Sequence, residues 1–170
     1  MVGYTNVGKS TLVKTLTRKD VFIKDMPFAT LDVKTGSLYL EGEKVLISDT
    51  VGFIRDLSHE LVASFRATLS EVKEADLLLI VFDITSPKLL EELKSVESVL
   101  KKLKSWNKPK IFVANKIDKF IDDPSKAKEL YDEIAGKIPE ENPEVVFISA
   151  SKGWELEELK KKIKEKLLSN

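Results

Sequence analysis

A chain of 170 residues is long enough for one domain with a sizeable core, and 42% hydrophobic residues is ordinary for a globular protein. Its 28 basic and 28 acidic side chains cancel, so overall charge gives no pull towards nucleic acid or an anionic membrane, and no DNA partner is expected. Without cysteine there are no disulfides, thiolate metal sites or cysteine nucleophiles; no apolar run nears the ~20 residues of a membrane span and no secretory signal is visible, so the expected location is cytoplasmic.

In chain order, strand-like and helix-like stretches alternate. A Gly-rich loop (3–8) leads into a helix from Lys9 to about Arg18. The β-rich segments 33–40 and 44–49, joined at Glu41-Gly42-Glu43, predict a hairpin. Leu61, Val62, Phe65, Leu69 and Val72 recur at helical spacing. Residues 76–84, DLLLIVFDI, form a continuous apolar run, as in a strand buried on both faces. A Lys- and Glu-rich helix over 88–105, a strand over 110–115, a helix after Pro124, a strand over 144–150 and a helix over 155–168 complete the chain. This alternation predicts an α/β fold with a mainly parallel sheet and helices on both faces.

Gly3-Tyr4-Thr5-Asn6-Val7-Gly8-Lys9-Ser10, followed by Thr11, fits G-x-x-x-x-G-K-[ST]. Glycines let backbone N–H groups curl around phosphate oxygens, and the helix N-terminus adds partial positive charge. In this pattern Lys9 reaches the outer phosphates and the Ser10 hydroxyl ligates Mg²⁺. Asp49-Thr50-Val51-Gly52 follows an apolar strand; the Asp can hold Mg²⁺, usually through water, and Gly52 can offer its N–H to a terminal phosphate. Asn115-Lys116-Ile117-Asp118 follows another. A carboxylate at Asp118 can accept the N1 and 2-amino hydrogens of guanine; adenine lacks that donor pair. Ser149-Ala150-Ser151 ends the next strand, where backbone N–H groups can meet guanine O6. Any one of these stretches could be an ordinary turn, but their order and strand-end placement together point to GTP or GDP with Mg²⁺.

GYTNVGKSTL, FATLD (28–32), DTVGFIRDLSHELVASFRATLSEV (49–72) and NKID together resemble the GTPase domain of HflX, in the Obg–HflX group of translation-associated GTPases. The stretch from Asp49 to Val72 is the most specific. The resemblance implies a P-loop NTPase fold of the Ras-like type and one G domain over 1–170, without the family's helical N-terminal domain. It also implies that Thr30 is the switch threonine, ligating Mg²⁺ and sensing the γ-phosphate, with Phe28, Ala29, Leu31 and Asp32 around it. Phe28 is then a surface switch residue or an anchor for the loop. Phe53 stands where many GTPases place a water-orienting glutamine, and it cannot hydrogen-bond water, so slow intrinsic hydrolysis is expected. Asn6 resembles the asparagine of potassium-activated GTPases, which helps bind K⁺; a local loop hydrogen bond is the alternative. His59 fits a capping or surface position rather than a general base. Lysines from Lys160 to Lys166 fit a solvated face, with RNA contact as the alternative.

The resemblance further implies the ribosome, through its large subunit, as partner of the intact protein, in splitting or rescue of stalled ribosomes. A nucleotide-binding module with negligible turnover, or another Obg-like translation- or tRNA-related GTPase, is the competing expectation. Only Met1 and Val2 precede the loop, so the first strand is expected to be largely missing, as in a domain truncated at its N-terminus, leaving neighbouring strand edges to be filled.

Overall fold

A computed structural model of the chain describes residues 1–17, 21–24, 33–49 and 66–169. Four strands form a parallel sheet in the order β1-β5-β6-β7: β1 (Val2–Gly3), β5 (Leu78–Asp83), β6 (Lys110–Asn115) and β7 (Val145–Phe147). An antiparallel sheet holds β2 (Val21–Lys24), β3 (Val33–Leu40) and β4 (Glu43–Asp49) in order. Among the described residues the α-helices are α1 (Lys9–Thr17), α2 (Arg66–Glu74), α3 (Leu89–Lys102), α4 (Tyr131–Ala135) and α5 (Leu156–Leu168).

The first strand is two residues long, with Val2 opposite Ile80 and Gly3 opposite Val81. Beside it the Met1 amino group donates to the Ser48 carbonyl at 2.5 Å, tying the parallel sheet to β4.

The uninterrupted apolar run of β5 is explained by two cores. Leu78, Ile80 and Phe82 pack with Val72 of α2 and with Leu89, Leu93, Val96 and Leu100 of α3. Leu79 and Val81 belong to the other core, with Leu12, Val13 and Leu16 of α1 and Leu159 and Ile163 of α5. Successive strand residues point to opposite faces, so a strand covered on both sides needs apolar residues throughout.

The elements depart from expectation at their ends. Glu43 pairs with Leu40, so the hairpin loop is only Glu41-Gly42. Both loop residues have positive φ, 47° and 93°, as a two-residue turn matched to strand twist requires. Helix α3 stops at Lys102, two residues before Lys104 takes φ 56°, and α5 starts at Leu156 because Glu155 is left-handed at φ 58°. After Pro124 the chain forms 3-10 turns over Pro124–Leu130, and only Tyr131–Ala135 is α-helical. Ala127 is the one buried side chain in that 3-10 segment, too little apolar face to stabilise a regular helix. The β7 ladder ends at Phe147; Ile148 still donates to Ala114 O (2.8 Å), and Ser149 pairs instead with Trp154.

Gly36 of β3 allows α1 to lie close to the hairpin sheet. A Cβ on it would stand 2.5 Å from Thr17 Cγ2.

Candidate functional site

The loops at the C-terminal ends of β1, β6 and β7 converge, which is where open α/β sheets hold ligands. Residues 3–8 leave β1 and enter α1, whose first bond runs from Leu12 N to Gly8 O at 2.9 Å. Asn6 (φ 61°) and Gly8 (φ 98°) give the loop its curl. Val7 is buried and pins the loop to the core, whereas Thr5 and Asn6 are exposed and Tyr4 is half-buried. Gly8 tolerates no side chain, since a Cβ would lie 2.3 Å from Asn115 Nδ2.

Lys9 is only 7% exposed and folds back over the loop, with Nζ 3.0 Å from Tyr4 O and 3.4 Å from Gly3 O. Burial lowers its pKa below the ordinary lysine value, and the nearby Asp49 carboxylate only partly opposes this. An anion at the loop would relieve that penalty. Ser10 and Thr11 are exposed on the first turn of α1.

Ser10 Oγ donates to Asp49 Oδ2 at 3.0 Å, joining the start of α1 to the end of β4. Asp49 is buried, and its Oδ1 has no hydrogen-bond partner among the described residues. A buried carboxylate oxygen left open beside a hydroxyl suits a hard cation such as Mg²⁺, which takes few protein ligands alongside phosphate and water. Among the described residues no three His, Cys, Asp or Glu side chains gather, so such an ion would draw on this pair and on phosphate oxygens.

Asn115 ends β6 and links two loops. Its Nδ2 donates to Val7 O (2.8 Å) and its Oδ1 accepts from Ala150 N (3.0 Å). Lys116 takes φ 70° and turns the chain into a 3-10 turn over Ile117–Lys119. Ile117 is fully buried, its N–H bonded to Ile148 O (3.2 Å). Asp118 Oδ1 accepts from Ser149 Oγ at 2.7 Å, so its carboxylate is aimed before any ligand arrives. Ser149 Oγ also accepts from Lys152 N (3.2 Å) and lies 3.3 Å from Ser151 Oγ.

The structure therefore brings together Gly3 to Thr11, Asp49, Asn115 to Asp118 and Ser149 to Ser151. Phe28, Ala29, Thr30, Leu31, Asp32, Thr50, Val51, Gly52, Phe53 and His59 lie outside the described residues. Sequence reasoning missed Asp83, whose Oδ2 is 2.5 Å from Lys116 Nζ. A signal was present: an acidic residue ends the apolar run of β5, in register with Asn115 at the end of β6.

A sequence profile described as 50S ribosome-binding GTPase matches residues 1–116, from the phosphate loop to the first half of NKID. The chain belongs to this GTPase family. The chain is 54% identical over 119 residues to GTPase HflX of Caldanaerobacter subterraneus subsp. tengcongensis, covering 69% of this chain and 28% of that protein. It is 42% identical over 167 residues to GTPase HflX of Treponema denticola, covering 96% of this chain and 40% of that protein. It thus spans 28% and 40% of the length of these two relatives, and the expected likeness to HflX holds over nearly the whole chain. A GTP-binding protein from Sulfolobus solfataricus, solved in complex with GDP, matches the chain with a TM-score of 0.74 at 33% identity, covering 99% of this chain and 51% of that one. The fold is the expected α/β P-loop GTPase fold.

Proposed function

We propose that residues 1–170 form one G domain that binds GTP with Mg²⁺, hydrolyses it slowly to GDP and phosphate, and acts as a molecular switch. The observation that carries this reading is the Asn115 bridge, in which one buried side chain holds both Val7 O and Ala150 N. The phosphate loop and the two loops assigned to guanine thereby form one unit.

In this reading Lys9 and the N–H groups of the loop stabilise phosphate charge. Ser10 and Asp49 hold Mg²⁺, with Thr30 as the switch ligand; when bound, the ion neutralises charge on the outer phosphates. Gly52 offers its N–H to the terminal phosphate. Asp118 selects guanine, and the backbone of Ser149 to Ser151 meets O6. Phe53 supplies no hydrogen bond to the attacking water, so unstimulated turnover stays on the ~10⁻⁴ to 10⁻² s⁻¹ scale. Asn6 serves as a K⁺ ligand in the finer version of this reading.

For the intact protein we propose a cytoplasmic role on the large ribosomal subunit, in splitting or rescue of stalled ribosomes. The likeness to HflX and the family description support this. Among the described residues no helix is long and apolar enough to cross a membrane.

Calorimetric titration with Mg²⁺–GDP, with Mg²⁺–ADP as control, tests the site. Binding of GDP alone is expected, and Asp118→Ala should weaken it at least ~100-fold, the order of loss for a site built around lost donor pairs. Equal binding of both nucleotides would overturn the guanine reading. Single-turnover hydrolysis of GTP in K⁺ and in Na⁺ then separates a slow enzyme from a binding module. No turnover leaves the binding module, a rate above about one per second refutes the role given to Phe53, and equal rates in the two salts remove K⁺.

A further inference from the structure

One ammonium joins the apex of the phosphate loop to the base-reading turn. Lys116 Nζ donates to Asn6 O (3.1 Å) and pairs with Asp83 Oδ2 (2.5 Å). Asp83 is held from its other side, since Oδ1 accepts from Thr85 N (2.8 Å) and Thr85 Oγ1 (2.6 Å). The Asp83 side chain is 15% exposed and that of Lys116 36%, so the pair is partly shielded from water. Asp83 cannot swing without losing the Thr85 bonds, and Lys116 cannot swing without leaving an anion uncompensated.

We propose that Asp83 is a positioning residue of the nucleotide site: by anchoring Lys116 it fixes the loop apex at Asn6 against the Asn115–Asp118 turn and so slows release of guanine nucleotide. The proposal rests on the reading of these loops as a guanine-nucleotide site. A lysine stem has many rotamers, and restricting it in advance removes an ordering cost from binding. The sign of the effect is diagnostic. Asp83 is an anion close to a site for phosphates, so charge alone predicts that neutralising it tightens binding. Positioning predicts the opposite.

Stopped-flow release of a fluorescent GDP analogue, with Mg²⁺, should be measured for the chain and for Asp83→Asn, Lys116→Met, the double variant and Thr85→Val. Loss of a charge-assisted bond predicts about tenfold faster release for Asp83→Asn, with association changed by less than about twofold. The double variant should release no faster than Lys116→Met, because Asp83 acts only through that lysine. Thr85→Val, which loosens the carboxylate without removing its charge, should fall between, at about threefold, and decides the matter if Asp83→Asn does not fold. Unchanged or slower release from Asp83→Asn, or additive effects in the double variant, would overturn the proposal while the nucleotide site stands. Failure of the unaltered chain to bind the analogue would overturn the site reading and this proposal with it.

Discussion

At the scale of single residues the site stores an unmet demand for charge. Lys9 is buried among carbonyl oxygens, and burial lowers its pKa from 10.5 with Asp49 only partly opposing. The unfolded chain therefore holds this proton more tightly than the folded one. Between the folded value and 10.5 the group makes the chain more stable as pH rises, and that contribution falls away as pH drops. A phosphate bound at the loop would reverse the shift, so on the proposed function nucleotide binding in the same alkaline window should take up a proton, at most about one per site. Calorimetry in buffers of different ionisation enthalpy reads this directly, and Lys9→Met should abolish the uptake. A binding enthalpy independent of buffer would contradict it. Asp83 shows the other outcome of a charge near the surface. Burial would raise its carboxyl, but hydrogen bonds from Lys116 and Thr85 more than offset that, and it lies below the ordinary range.

Elements matter through their ends. Strands β5 and β6 finish in register on Asp83 and Asn115, and each of those side chains is spent holding a neighbouring loop. Asn115→Ala would leave Val7 O and Ala150 N without their partner in a buried place. The expected loss of stability is roughly 2–4 kcal/mol, from two unpaired polar groups. Urea denaturation measures it; a loss below about 1 kcal/mol would mean that the loops re-pair or admit water. The 3-10 turns over Pro124–Leu130, where the sequence predicts a helix, depend on context in the same way. Pro124 marks a helix start, and Asp123 caps it by accepting from Ser125 N (2.9 Å). Such signals locate a start but do not say which helix follows, because continuation depends on an apolar face finding a partner.

Across the whole molecule the sheet separates two cores. Ile134 lies in one and Ile163 in the other, both buried. Ile134→Val and Ile163→Val should each cost about 0.5–1.5 kcal/mol, and the double variant should cost their sum within about 0.5 kcal/mol, because the sites share no packing partner. A larger departure from additivity would mean that the sheet transmits strain between its faces. The sequence by itself determined the alternation of strands and helices, a doubly buried strand expected over 76–84 and found at Leu78–Asp83, and the hairpin, and it supplied the four motifs from which the site is proposed. All of these are local patterns of periodicity, turn chemistry or residue order. Only the tertiary structure decided that Lys9 turns back on its own loop, that Asn115 ties two loops together, that Ser149 aims Asp118, and that Asp83 stands beside Lys116. These contacts join residues as many as 108 positions apart, as between Asn115 and Val7. Strand register sets such distances, and no stretch of sequence records them.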